Sequence, residues 1–395
     1  MSASQVVLLL SIGYIIFTID KKQKNLPVPV LLLLTGMILS FVPYFATIQV
    51  SETVIYDVFL PGLLFTSAYT YSPQALRKYA GIIGVLSTVG LISTALLLGL
   101  LMYVVAGWFF PISLAGAFLA ASILTPTDPV SVVSILKQSS NDPSVADVVD
   151  GESMINDGTS VVLFGVLAGM YVNSQSFHIW SFFGEFLYVS IGGIVLGLGI
   201  GWLCSRAVHI THHKQYQVML SIVTAYGIFH LAEHLGFSGV LATVTAGIMI
   251  SWEFDHMNKE DHYREALAGF WDVVEPSLLS LVFLLIGIEA TKYLTSISWI
   301  LAIVIFMGSV VVRFMVVAAS MQLFSGWREF IDWKRASLIS WAGIRGTMSV
   351  FLLLSLHAQL LGKGDQLLSI SFAVVVLSLV LQSIGIYPLA RKMVK

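Results

Sequence analysis

Charge is scarce in this chain. Lys, Arg, Asp and Glu make up 11% of its 395 residues, against about 25% in an ordinary soluble domain. Cysteine is nearly absent. Cys204 stands alone, which excludes an internal disulfide framework, and its place in an apolar run reads as a packed bystander. There is no His/Cys cluster of the kind zinc favours. No Gly-rich phosphate loop is present, which argues against an ATP-driven pump, and no basic patch suggests nucleic acid. The first apolar run, Val6 to Ile19, has no basic stretch before it and no small-residue cleavage site after it, so no cleavable signal peptide is expected.

What fills the sequence instead is apolar. Hydrophobic residues reach 57% and the mean hydropathy is +0.89. A soluble fold could not bury so much, so lipid must be the solvent for much of the chain. Spanning takes about 20 mostly apolar residues. Thirteen candidate segments fit: 5–19, 27–45, 53–71, 81–108, 112–136, 152–173, 181–205, 217–234, 237–252, 271–291, 297–324, 335–358 and 366–390. Their connections are short, and no cytosolic regulatory domain is expected. Lys and Arg are retained on the cytoplasmic side of a membrane. With the N-terminus outside and thirteen alternations, 16 basic residues fall in cytoplasmic loops and only Lys292 and Lys363 outside; Arg313 and Arg345 lie within segments. The asymmetry predicts a multi-pass protein of the plasma membrane with its N-terminus out and its C-terminus in.

An ionisable group deep in a bilayer is costly and marks function by default. The fifth segment reads Thr125-Pro126-Thr127-Asp128-Pro129. Two prolines three residues apart remove two backbone donors and clash with the preceding turn, so the helix must break. Broken backbone at membrane depth is tolerated only inside protein or along a wet cavity. Asp128 stands in that break, either as a cap on the second half-helix or as a cation-attracting charge; the two are compatible. The sixth segment opens Gly151-Glu152-Ser153-Met154-Ile155-Asn156-Asp157. Glu152, Asn156 and Ser160 share one stripe, and Ser153 with Asp157 the next. The residues fit a polar helix start at the interface, or a set of hard oxygen donors suited to an alkali cation.

Arg313 and Arg345 keep their charge and need anionic or carbonyl partners. Glu152, Asp128 and Asp157 are the deep acids available. We expect a buried pair of Arg313 with Glu152, with Arg345 as second candidate or snorkelling to an interface. The glycines flanking Arg345 predict a second interrupted helix. If segments 1–6 (about 5–173) and 8–13 (about 217–390) are two halves joined by a linker helix at about 181–205, the interrupted helices are the fifth of each. That is the pattern of inverted-repeat transporters with a midplane site. His209, His212 and His213 read as a solvated loop or a pH sensor. Glu275-Pro276 reads as a cytoplasmic helix start, and Glu233 and Glu289 lie near external ends.

These residues resemble the monovalent cation:proton antiporters, in the branch of the bacterial NhaP-type antiporters and the animal sodium/proton exchangers. The likeness spans nearly the whole chain: Leu60-Pro61-Gly62-Leu63-Leu64-Phe65, Thr127-Asp128-Pro129, Gly151-Glu152-Ser153, Asn156-Asp157-Gly158, Ser238-Gly239-Val240-Leu241-Ala242, Phe283-Leu284-Leu285-Ile286-Gly287 and Gly343-Ile344-Arg345-Gly346. It implies an all-α membrane protein of about thirteen helices, with a panel domain, a moving core that carries two crossed broken helices, and homodimers. It implies that Asp157 binds cation or proton in turn, with Asp128, Ser153 and Thr127 helping to ligate sodium. Asn156 holds the place of a second aspartate in the electrogenic branch, so one-for-one, electroneutral exchange is expected. Glu152 with Arg313 resembles the family's structural pair. Thr66 departs from the pattern, standing where many relatives carry an acid. No cofactor is expected beyond the transported ions. The residues leave room for potassium instead of sodium, and more distantly for a cation channel or a sensor without turnover.

Overall fold

Apolar backbone with no water to bond must satisfy its own polar groups, and a helix does so within one segment. The computed structural model is built of helices and their connections, with no strand among its described residues. These are residues 1–19, 27–128, 133, 136–137, 144–173, 179–208, 213–256, 261–294, 298–322, 327, 332–360 and 365–393. In chain order the helices of ten residues or more are α1 (Ala3–Ile19), α2 (Val28–Leu39), α3 (Val54–Thr70), α4 (Pro73–Ala106), α5 (Leu114–Ile123), α6 (Ser144–Asn173) and α7 (Ile179–Val208). There follow α8 (Lys214–His234), α9 (Gly239–His256), α10 (Asp261–Tyr293), α11 (Trp299–Gln322), α12 (Trp333–Ala342), α13 (Thr347–Leu360) and α14 (Gln366–Ala390).

Local chemistry sets several starts. Ser72 accepts from the Ala75 amide (3.3 Å), Ser113 from Gly116 (3.0 Å) and Asp332 from Arg335 (2.9 Å), each side chain taking one of the amides a helix start leaves free. Pro73 occupies the first helical position, where its missing N–H costs nothing. A π-turn opens α3 at Val54–Phe59 and interrupts α4 at Leu86–Gly90 and α14 at Ser378–Gln382. Such turns disturb the regular ladder, and in α4 the Ser87 carbonyl is taken by Thr159 Oγ1 of α6 at 2.7 Å.

Among the described residues six helices, α4, α6, α7, α10, α11 and α14, are long and apolar enough to cross a membrane. The pair α12 and α13, bent by 44°, makes a seventh if it is one span; the shorter apolar helices run 10–17 residues. The chain is therefore a multi-pass, all-helical membrane protein. Only 28% of the apolar window of α7 is buried, against 78% in α14, so α7 faces outward and α14 lies in the core. On α7, Gly193, Gly197 and Gly201 stand one turn apart, and a Cβ at any of them would meet backbone at Ser238, just before α9, or at Ala242 or Ala246 within it. Small residues at this spacing let two helices approach closely where lipid offers no hydrophobic drive.

Two expected boundaries move. Segment six opens at Ser144 and not near Gly151, so Glu152, Asn156 and Asp157 sit within the helix, past its first two turns. Asp150, in the added turns, lines the cavity described below. Likewise Glu275-Pro276 does not mark a helix start: α10 begins at Asp261 and carries Pro276 inside it. The Pro276 carbonyl accepts from Ser280 Oγ (2.7 Å), and Ser277 Oγ donates to Val273 O (2.8 Å), so nearby hydroxyls support the turn that the proline weakens. His209 and His212 lie outside the described residues; His213 is exposed and packs edge-on against Tyr216.

Candidate functional site

The site is built where two helices fail. Helix α5 ends at Ile123. Leu124 closes its last turn, Thr125 Oγ1 donates to Ser122 O (2.7 Å), and residues 126–128 form no regular structure. Pro126 removes the next amide and pushes the residue before it out of the helical region. The second failure spans residues 343–346, between α12 and α13. The two breaks cross. The Asp128 amide donates to Ile344 O at 2.7 Å.

Each break then repairs the other's helix end. The Asp128 carboxylate accepts from the Thr347 amide (3.1 Å) and hydroxyl (3.2 Å), so it caps the N-terminus of α13 across the crossing, where partial positive charge collects. The start of the second half-helix that Asp128 was expected to cap, residues 129–132, lies outside the described residues. In return Arg345 Nε donates to Leu124 O (3.0 Å), at the C-terminal end of α5, where carbonyls lack partners. Gly346 makes the approach possible: a Cβ there would collide with the Asp128 carboxylate.

Arg313 and Glu152 meet. Arg313 Nη2 lies 2.7 Å from Glu152 Oε2 and 3.0 Å from Oε1, with both side chains almost wholly buried. Arg313 Nε is buried with no hydrogen-bond partner. A Cβ at Gly343 would strike this guanidinium, so the second break also seats the pair. Arg345 does not join it, and it does not snorkel. It is 1% exposed and bonds neutral acceptors, namely Leu124 O, Gly343 O (3.3 Å) and Gln382 Oε1 (3.1 Å). Of the anionic or carbonyl partners the sequence allowed, Arg345 takes carbonyl and amide dipoles.

The polar stripes of α6 divide the work. Asn156 Nδ2 donates to Thr127 Oγ1 (2.8 Å), the Thr127 amide approaches Asn156 Oδ1 (3.4 Å), and Ser153 Oγ donates to the Thr127 carbonyl. Asn156 thus brackets the first break, and both it and Thr127 are buried behind the cavity wall. Asp157, by contrast, faces a cavity of about 350 Å³ together with Ser153, Asp128 and Thr347. It is half-buried, and its Oδ1 is buried without a hydrogen-bond partner. Thr66 bonds its own helix at Gly62 O (2.8 Å) and stays out of the lining.

The cavity runs past Leu63, Ser67 and Thr70 of α3 to Lys137, Asp150 and Glu275. Lys137 Nζ is 3.9 Å from Asp150 Oδ2. At the other end, Leu60 and Thr347 line the wall. One turn further along both helices, Tyr56 of α3 stacks on Phe351 of α13 (4.5 Å between centroids, 15° between planes) and meets Phe229 of α8 edge-on at 4.8 Å. The Glu233 carboxylate lies beside the Tyr56 hydroxyl.

Sequence reasoning passed over Thr347, Gln382 and the Tyr56 stack. Gln382 carried a signal, being an amide deep in the apolar run 366–390. Thr347 and Tyr56 carried none, since a threonine at a helix start and an aromatic in an apolar segment are both ordinary.

Residues 7–392 match the family described as sodium/hydrogen exchanger, transmembrane. The Na(+)/H(+) antiporter NhaP of Pseudomonas aeruginosa is 32% identical over 341 residues, 85% of this chain and 80% of that one. The Na(+)/H(+) antiporter NhaH of Halobacillus dabanensis is 29% identical over 402 residues, 98% of this chain and 97% of that one. Among solved structures, the sodium proton antiporter MjNhaP1 from Methanocaldococcus jannaschii at pH 8 superposes with a TM-score of 0.79 at 19% identity, covering 99% of this chain and 98% of that one. That last likeness is one of fold.

Proposed function

The chain belongs to the sodium/hydrogen exchanger family, and from that premise we propose that it exchanges sodium for protons, one for one, across the plasma membrane. The observation that carries this is Asp157, a cavity-facing carboxylate with one buried oxygen that nothing in the protein satisfies. Its neighbour Asp128 is held by the N-terminus of α13. Asp157 is left to draw its partner from the cavity. A sodium ion and a proton compete for that one charge, so each must leave before the other binds.

Coupling follows from the barrier. Carrying a bare carboxylate through a dry region costs several kcal/mol. The moving core therefore changes sides only when Asp157 is neutralised by either ligand. Asp128, Ser153 and Thr347 supply further hard oxygens to the ion, and Thr127 and Asn156 hold the break in shape from behind. Because Asn156 cannot titrate, the site exchanges one charge for one charge. Electroneutral turnover is the reading its amide supports.

Thirteen crossings, with the N-terminus outside and the C-terminus inside, give the basic-residue asymmetry its simplest account. In that orientation the mouth bearing Lys137 opens to the cytoplasm, and the Tyr56–Phe351–Phe229 stack closes the far side. The first repeat runs over about 5–173, the linker helix over about 181–205 and the second repeat over about 217–390, with the two breaks in matching places. The outward-facing α7 suits a dimer, and sodium and pH homeostasis is the role such exchange serves.

The test is a proteoliposome assay with a pH-sensitive dye, titrating Na⁺, Li⁺ and K⁺ with and without a voltage clamp. Sodium-driven proton flux that ignores voltage is expected. Asp157→Asn should abolish it while the protein stays folded. Retained cation-dependent proton flux in that variant would sink the reading, and flux driven by potassium alone would move the cargo from sodium to potassium.

A further inference from the structure

Gln382 touches neither the cavity nor the ion pair, yet it is fully buried and bonds at every polar atom of its side chain. Its Nε2 donates to Trp341 O (2.8 Å) and approaches Gly343 O (3.5 Å). Its Oε1 accepts from Arg345 Nη1 (3.1 Å) and from the Ser378 hydroxyl. Its backbone carbonyl accepts from Trp341 Nε1 (3.0 Å). Ser378, at the other end of the same π-turn, accepts from the Arg345 amide (3.0 Å). One turn of α14 therefore grips the second break at Trp341, Gly343 and Arg345. Buried amides with unmet bonds are expensive, and a network this complete fixes a single geometry.

Arg345 has no carboxylate to aim at. Its side-chain bonds go to two backbone carbonyls and to Gln382, and Gln382 is the one a substitution can remove. The direction of Arg345 sets its bond to Leu124 O, and its neighbours Ile344 and Thr347 hold the amide and carboxylate of Asp128. We propose that Gln382 is a positioning residue: from α14 it fixes the crossing of the two broken helices, and through that crossing the cation affinity of the site at Asp128 and Asp157. The effect on affinity rests on the exchange reading; the effect on the crossing does not.

Gln382→Leu, Gln382→Glu and Ser378→Ala in the full-length protein test it with two measurements. The first is amide hydrogen exchange of peptides covering residues 124–128 and 343–347, in detergent and without added sodium. The second is the apparent KM for Na⁺ in proteoliposomes. Gln382→Leu should speed exchange in both peptides and raise KM by at least about tenfold, the worth of one hydrogen bond to a charged group. Gln382→Glu keeps an acceptor for Arg345 and should hold KM within about threefold. Ser378→Ala, which loses only a hydroxyl, should speed exchange in the 343–347 peptide and serves if Gln382→Leu does not fold. Unchanged exchange in both peptides for every folded variant overturns the proposal. So does faster exchange with an unchanged KM in liposomes that transport. If the wild type moves no sodium, the function proposed above fails, and the exchange data still decide whether Gln382 positions the crossing.

Discussion

Replacing Glu152 by Gln removes the charge that Arg313 faces and leaves the guanidinium where it is. Arg313 Nη2 spends two short bonds on Glu152, at 2.7 and 3.0 Å, and Nε already lacks a partner. Arg313 cannot shed its proton. It lies against Gly343 at the second break, so rotation toward water would push the break aside. Breaking a buried pair by removing one member costs about 3–5 kcal/mol. For domains of 150–250 residues 1 kcal/mol moves the melting temperature by roughly 2–4 °C, and a longer chain moves less. A fall of about 5–10 °C in detergent is expected. Replacing both partners, Glu152→Met with Arg313→Met, should cost clearly less than the two single changes added together, because the stranded charge is gone. An unchanged melting temperature for Glu152→Gln, or strict additivity in the double variant, would refute the reasoning.

Two further substitutions probe the site from other sides. Gly346→Ala drives a Cβ into the Asp128 carboxylate; it should raise the sodium KM at least tenfold, about 1.4 kcal/mol, and a wild-type KM would show that the crossing tolerates a shift. Tyr56→Ala removes the ring stacked on Phe351 and should let protons leak through unenergised liposomes without sodium. A liposome as tight as the wild type would mean that another group closes the far side.

The sequence determined the solvent and the places of failure. Hydropathy and the scarcity of charge dictate helices in lipid, because unpaired backbone has no other outlet there. Pro126 and the glycines around Arg345 dictate two breaks, because each acts on its own turn of chain. The spacing of Ser153 and Asp157 put both on one face, since helical period is local. Where a segment ends was less legible: α6 and α10 begin earlier than apolar runs suggest, because Asp150 and Glu275 face a cavity that hydropathy cannot see.

The pair of Arg313 with Glu152 was expected from the sequence and is present; the other partners were decided by the tertiary structure. The sequence named three acids for two arginines, and the crossing of the breaks gave Arg313 a carboxylate and Arg345 only dipoles. Asp128 was read as a cap on its own second half-helix or as a cation's counter-charge, and the crossing also sets its carboxylate on the N-terminus of α13, more than two hundred residues along. The same crossing brought Thr347 and Gln382 to the site from segments with no visible claim on it. Such pairings depend on which helix ends come within hydrogen-bond reach, and that distance exists only once the whole bundle has packed.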